Sequence, residues 1–269
     1  MSYRLSTLSY ELAPFPLMPV FALSAELTFP PPRFATREGL LAFGGDLSEE
    51  RLLLAYRSGI FPWYSDGEPI LWWSPDPRLV LYPREFHLSR SMLKTLKHGD
   101  FALTLDTAFE RVIAECARVR CETGEGTWIV GDMRKAYCAL HRSGFAHSIE
   151  AWQDGVLAGG LYGVALGRCF FGESMFARVS NASKAALAGL VAFLIEAGFE
   201  LVDCQVTTGH LQRMGAREIP RKRYLQELER ALEGPACAGS WAMPADALAC
   251  FLAPKKPARV KRKLTAHSG

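Results

Sequence analysis

Proline is the residue that most constrains this chain. Eleven of its sixteen prolines stand at or before position 83, and none falls between Arg84 and Ile219. Proline lacks a backbone N–H and breaks helices and central strands, so continuous regular structure belongs in that Pro-free block and the N-terminal region must be loop-rich. With about 150 residues to a typical domain, the 269-residue chain divides into a loop-rich N-terminal domain (1–77), a regular domain (78–235) and a C-terminal extension (236–269).

Composition excludes several classes. An unbroken apolar run such as Ala185 to Ile195 has eleven residues, where a membrane span needs about 20. The N-terminal string MSYRLSTLSYELAPF carries Glu11 and no apolar segment of the secretory kind, so the expected address is the cytoplasm. Seven cysteines without a C-x-x-C pair fit free thiols in a reducing compartment. The net charge of +3 hides an asymmetry: Lys255, Lys256, Arg259, Lys261, Arg262 and Lys263 leave a body with 25 basic and 28 acidic residues. Such a tail reads either as a disordered arm able to touch nucleic acid or as a solubilising terminus.

Capping residues and periodicity mark the elements. Ser48 caps a helix from Glu49 to Ser58 that stops at Gly59, followed by an aromatic-dense loop, GIFPWYSDGEPILWWSPDPR. Ser89 opens a short helix ending at Gly99, with Arg90, Lys94 and Lys97 as a basic stripe opposite Met92, Leu93 and Leu96. Asp106 is placed to cap a second helix, and a third runs from Asp132 to Arg142. Then the period changes to two. SIEAW, VLAGGLYGVAL and RCFFGES read as three antiparallel strands, followed by a helix capped by Asn181 or Ser183 and by the strand FELVDCQV.

The class is therefore α+β. The order β-β-β-α-β resembles the acetyltransferase-like (GNAT-like) superfold, which does not fix function. Coenzyme A would need a glycine-rich turn opening the main helix, and FARVSNASK has no glycine, which argues against a small-molecule acyltransferase.

Within FELVDCQV, alternation puts Asp203 and Gln205 on one face and Val202, Cys204 and Val206 on the other. An Asp in an apolar strand is either paired or working, because an unpaired buried charge is costly. Glu173, after Gly172 at the end of an apolar strand, is a second acid of this kind. No nucleophile–base arrangement and no paired histidines at metal spacing occur, so neither a metal nor a cofactor is expected. Phe61 and Trp63 flank Pro62 in the aromatic loop, and exposed rings near a basic stripe suit stacking on unpaired nucleotides. A non-catalytic RNA-binding module would use the rings and the stripe but would leave Glu173, Asp203 and Gln205 without a purpose.

The strings LLAFGGDLS, YRSGIFPWYSDGEPILWWSPDPR, HLSRSM, GTWI, AYCALHRSGFAHSIEAW, GGLYGVALG, FFGESMF, NASKAAL and DCQ, spread over residues 40 to 225, resemble the bacterial leucyl/phenylalanyl-tRNA-protein transferases. The resemblance implies transfer of leucine or phenylalanine, with methionine a further candidate, from aminoacyl-tRNA to a protein bearing N-terminal Arg or Lys. The product is an N-degron, and the partners are tRNA and protein, not DNA or membrane. It also implies that Asp203 and Gln205 are a catalytic pair and that Glu173 is an acid lining the same site. Trp63 and Trp128 would hold the terminal adenosine, with Phe61 and Ser65 nearby, and Arg90, Lys94 and Lys97 would meet the acceptor stem. Leu161, Leu187, Leu190, Leu194 and Val202 would form the aminoacyl pocket, aliphatic where the family's pocket can carry aromatic or methionine side chains.

Overall fold

The computed structural model describes residues 20–122, 127–235, 239–244, 246 and 248–252. The expectation of a disordered basic tail lies outside them. In chain order the elements are β1 (Phe21–Leu23), β2 (Leu40–Gly44), α1 (Glu49–Arg57), β3 (Phe61–Pro62), β4 (Leu71–Trp73), β5 (Arg78–Leu81), α2 (Arg90–His98), β6 (Ala102–Leu105), α3 (Phe109–Glu122) and α4 (Gly131–Arg142). They continue with β7 (Ala146–Gln153), β8 (Val156–Leu166), β9 (Cys169–Ala177), α5 (Ala182–Glu196), β10 (Leu201–Gln205), α6 (Gly209–Gln212), β11 (Arg217–Ile219), α7 (Arg221–Leu232) and α8 (Ala249–Leu252). Two short 3-10 turns, Pro32–Phe34 and Pro83–Glu85, each begin on a proline.

The strands form a four-stranded sheet, β1-β2-β4-β3, and a seven-stranded sheet, β11-β5-β10-β9-β8-β7-β6, so the architecture is α+β. The aromatic segment is therefore not simply a loop. Its two ends pair as the antiparallel strands β3 and β4, with Phe61 opposite Trp73. In the large sheet every neighbouring pair is antiparallel except β9 and β10, which α5 connects as a parallel crossover.

Alternate residues of this sheet feed two cores. Val80, Tyr162, Phe171 and Leu201 face the side covered by α3 and α4, while Leu79, Leu161, Phe170 and Val202 face α5. Helix α5 is buried on nearly all sides, as expected for a helix apolar all round. Its small residues allow the close approach: a Cβ on Gly189 would sit 2.9 Å from Leu103 Cδ1 and 3.1 Å from Met243 Cε. The outer side of α5 is closed by the C-terminal segment, where Trp241 packs with Phe193 and stacks on His147 at 3.7 Å.

Three local expectations need correction. Asp106 does not cap α3, because its carboxylate accepts bonds from the backbone N–H groups of Ser148 and Trp241 and pairs with His147 Nδ1. Glu150, reaching from β7, takes the Thr107 and Ala108 N–H groups at the start of α3 instead. Asn181 occupies the N-cap position of α5 in a left-handed conformation and its side chain makes no capping bond; it accepts from Lys184 Nζ at 3.1 Å. Glu173 lies inside β9 rather than at the end of a strand. Ser48 and Ser89 do cap α1 and α2, accepting from the N–H groups of Arg51 and Met92.

Candidate active site

Two irregularities at the same level of the large sheet build the site. The pairing of β8 with β9 skips from Gly163↔Gly172 to Tyr162↔Ser174, leaving Glu173 as the extra residue of a bulge. Gly163 permits this crowding, since a Cβ there would lie 2.1 Å from the Phe171 carbonyl oxygen. The pairing of β10 with β5 skips from Asp203↔Val80 to Gln205↔Leu79, and Gln205 takes a left-handed φ of 62°. The parallel register reaches Phe171↔Asp203. Two residues further along each strand, Glu173 and Gln205 meet, with Gln205 Nε2 donating to Glu173 Oε1 at 2.8 Å.

The bulge also breaks the alternation expected for β10. Val202, Cys204, Gln205 and Val206 all line one pocket, and Asp203 does not. Asp203 is fully buried behind it. Its carboxylate accepts two bonds from Arg78, at 2.8 and 2.7 Å, one from Tyr224 Oη at 2.7 Å and one from the Gln205 backbone N–H at 2.9 Å. Burial pulls the Arg78 guanidinium down, but Asp203 and Tyr224 outweigh it and hold it charged. Asp203 thus fixes the backbone of Gln205, not its amide.

Glu173 is held differently. Besides Gln205 it accepts from Tyr56 Oη on α1 and Tyr137 Oη on α4, each at 2.8 Å. Burial pushes its carboxyl up to about 7, against the three hydrogen bonds, while the nearby Asp203 charge adds to the rise. Because the ionised carboxylate takes the Gln205 NH2 group, the amide oxygen is left for the pocket.

The pocket has a volume of about 440 Å³. Phe61, Trp63 and Trp128 form one side, and Leu161, Leu187, Leu190 and Val202 form an apolar wall. Trp63 is 43% exposed and its ring stands 5.9 Å from that of Trp73, whereas Phe61 is buried and lies under the Arg78 guanidinium. Ser65 and Leu194 do not line the pocket: Ser65 is exposed beside Glu68, and Leu194 is sealed in the core under α5. The wall is not purely aliphatic, since Met175 and Phe170 belong to it. Arg90, Lys94 and Lys97 project to solvent from α2, while Met92 and Leu96 anchor the helix.

Sequence reasoning missed Tyr56, Tyr137, Arg78 and Tyr224, which hold the two acids, and Arg120, which lines the pocket. The first two occupy buried faces of amphipathic helices, where a tyrosine reads as core. Arg78 carried a usable signal, a lone cation in the apolar strand RLVL, matching Asp203, the lone anion of LVDCQ in β10. Cys204 is pushed well above its usual range by burial and by Asp203, so it remains a thiol and not a nucleophile. Among the described residues no group of three His, Cys, Asp or Glu side chains could hold a metal, and no helix is long and apolar enough to cross a membrane.

Comparison with known proteins places the chain in a family. Residues 80–229 match the family model of leucyl/phenylalanyl-tRNA protein transferase, and residues 45–76 match that of its N-terminal domain. A leucyl/phenylalanyl-tRNA–protein transferase of Desulfatibacillum aliphaticivorans is 62% identical over 229 residues, covering 85% of this chain and 98% of that one. One from Syntrophobacter fumaroxidans is 58% identical over 231 residues, covering 82% and 99%. Solved structures are far more distant: L-PGS from Bacillus licheniformis aligns over 63% of this chain and 54% of its own at 10% identity, with a TM-score of 0.36, too low to define the fold. Since the family model spans nearly the whole large sheet, bulges included, and the relatives align over almost their full length, the chain belongs to the leucyl/phenylalanyl-tRNA protein transferase family.

Proposed function

We propose that the pocket beside Glu173 and Gln205 joins the aminoacyl group of Leu-tRNA or Phe-tRNA to the α-amino group of a protein beginning with Arg or Lys. The reading rests on family membership together with one observation: a pocket with an apolar wall, aromatic rings on one side and an acceptor-rich end is built for an aminoacyl-adenosine and an amine. The ester is already activated, so the enzyme needs no covalent nucleophile, only an amine placed against the carbonyl carbon.

In this scheme Trp63 and Trp128, beside Phe61, hold the terminal adenosine by stacking. Leu161, Leu187, Leu190 and Val202, with Met175, take the amino-acid side chain. The Gln205 amide oxygen accepts a hydrogen bond from the attacking amine, and Asp203 is a positioning residue that holds the Gln205 backbone. The Met175 thioether makes the wall adaptable enough for leucine, phenylalanine or methionine. The fold that carries this site is read as acetyltransferase-like from the three antiparallel strands, the crossing helix α5 and the parallel strand β10. The chain is read as three parts, 1–77, 78–235 and 236–269, working in the cytoplasm, where aminoacyl-tRNA is found.

The deciding experiment incubates the protein with labelled Leu-tRNA and a peptide beginning with Arg. Label is expected in the peptide, and no label from Leu-, Phe- or Met-tRNA into Arg or Lys peptides rejects the reading. The stripe on α2 is assigned to the acceptor stem of the tRNA. Each phosphate contact releases counterions, so Arg90→Ala is expected to weaken tRNA binding and to flatten the slope of log affinity against log salt by about 0.9. Equal slopes for variant and wild type remove Arg90 from the interface.

A further inference from the structure

Glu173, Tyr56 and Tyr137 form a closed triangle. Each tyrosine oxygen lies 2.8 Å from one carboxylate oxygen, and the two hydroxyls also touch each other. Both tyrosines are fully buried, and Glu173 is open only to the pocket that it lines beside Gln205. Three edges join the three groups, yet two hydroxyls bring only two protons. With the carboxylate ionised, both protons point at it and the edge between the tyrosines holds none. One further proton completes the ring: Glu173 donates to Tyr56, Tyr56 to Tyr137, and Tyr137 back to the other carboxylate oxygen. The two contacts to the carboxylate serve both protonation states, and the close contact between the tyrosine hydroxyls is the place the added proton fills.

We propose that Glu173 is the proton acceptor of the transfer reaction, with Tyr56 and Tyr137 as positioning residues that let it take and return a proton in place. The inference rests on the reading of the pocket given above. The neutral amine attacks the ester carbonyl carbon, a nitrogen–carbon bond forms, and the nitrogen becomes cationic. Its proton passes to Glu173. The carbon–oxygen bond to the ribose then breaks, the ribose oxygen receives the proton from Glu173, and the carboxylate is regenerated. Asp203 is unsuited to this task, as it is fully buried behind the pocket and paired with Arg78, whereas Glu173 lines the pocket. A carboxyl near 7 is matched to an amine of pKa about 7.7 to 8.0.

The charged and titratable groups facing Glu173 are Tyr56 from α1, Tyr137 from α4, Tyr162 from β8 and Asp203 from β10, with Arg120 of α3 on the same pocket. Hydrogen bonds from Tyr56 and Tyr137 hold the carboxyl down. Bonds to an ionised acceptor are the stronger kind, so losing one donor costs the ionised form more. The test is the pH dependence of the single-turnover rate with one Arg peptide throughout, so that the amine is the same in every profile. Tyr56→Phe and, separately, Tyr137→Phe are expected to move the acid limb up by about one unit, a tenfold loss at a fixed pH below it. Glu173→Gln is expected to remove the carboxyl's share of the limb, leaving only the slope of one that the amine itself sets, and to lower the rate at least a hundredfold.

An acid limb unmoved or lowered in both phenylalanine variants overturns the proposal, provided their melting curves show folded protein. A Glu173→Gln enzyme with a raised KM for the peptide but the wild-type rate also overturns it, since the carboxylate would then only dock the substrate. The function itself is judged separately, by whether the wild-type protein labels the peptide at all.

Discussion

Replacing Asp203 with alanine is expected to lower folding stability by about 3–5 kcal/mol, the usual cost of removing one partner from a buried ion pair. Arg78 is 1% exposed and would keep its charge with no counter-ion. Tyr224 would lose its acceptor, and the Gln205 N–H the bond that fixes the β10 bulge. Urea unfolding measures the loss. Replacing Arg78 and Asp203 together by apolar residues of similar size should recover much of the stability, because desolvation of a pair cancels most of its attraction. A single variant with a wild-type unfolding midpoint would contradict the role given to Asp203. It follows that a slow Asp203→Ala enzyme reports on folding as well as chemistry, and its rate is meaningful only where the variant remains folded.

Gln205→Ala is expected to reduce the single-turnover rate by about 10²–10³-fold, the range for removing one positioned hydrogen-bonding group that meets charge developing in the transition state. The affinity for aminoacyl-tRNA should be unchanged, since the adenosine and the amino-acid side chain are held elsewhere. Gln205→Gly supplies the control. The left-handed backbone of Gln205 suits glycine, so this variant relieves strain of about 1–3 kcal/mol while deleting the same side chain. Equal rate losses in both variants assign the effect to the amide. A large fall in tRNA affinity with an unchanged rate would move Gln205 out of the chemistry.

Much of the frame was legible because local signals agreed with tertiary structure. Ser48, Ser89, Gly59 and Gly99 bounded helices as caps should, and the glycine turns separated β7, β8 and β9. The acids were visible as charges in apolar strands. What alternation could not reveal was the pair of bulges: period two put Asp203 and Gln205 side by side, while the structure turns one toward Arg78 and the other toward the pocket. A bulge depends on the partner strand, which no local pattern encodes. The caps assigned to Asp106 and Asn181 failed for a related reason. Glu150, from a strand distant in sequence, already occupied the α3 N-terminus, and Asn181 is turned toward Lys184. Tyr56 and Tyr137 were hidden because a tyrosine on a buried helix face looks the same whether its hydroxyl meets a carboxylate or only packs.

The bonds that hold the two acids also bear on the order in which the molecule assembles. Tyr56 and Glu173 are 117 positions apart, and Arg78 and Asp203 are 125 apart. Contacts of such range cost more loop-closure entropy than local ones, so hairpins such as β7–β8 are expected to form before the site does. A fragment spanning only residues 78–235 would carry all the strands of the large sheet yet lack the tyrosine of α1 that bonds Glu173. In the proposed scheme, transfer is thereby tied to completion of the fold: a partly folded chain carries every acid of the site but lacks the Tyr56 bond through which Glu173 would take the proton.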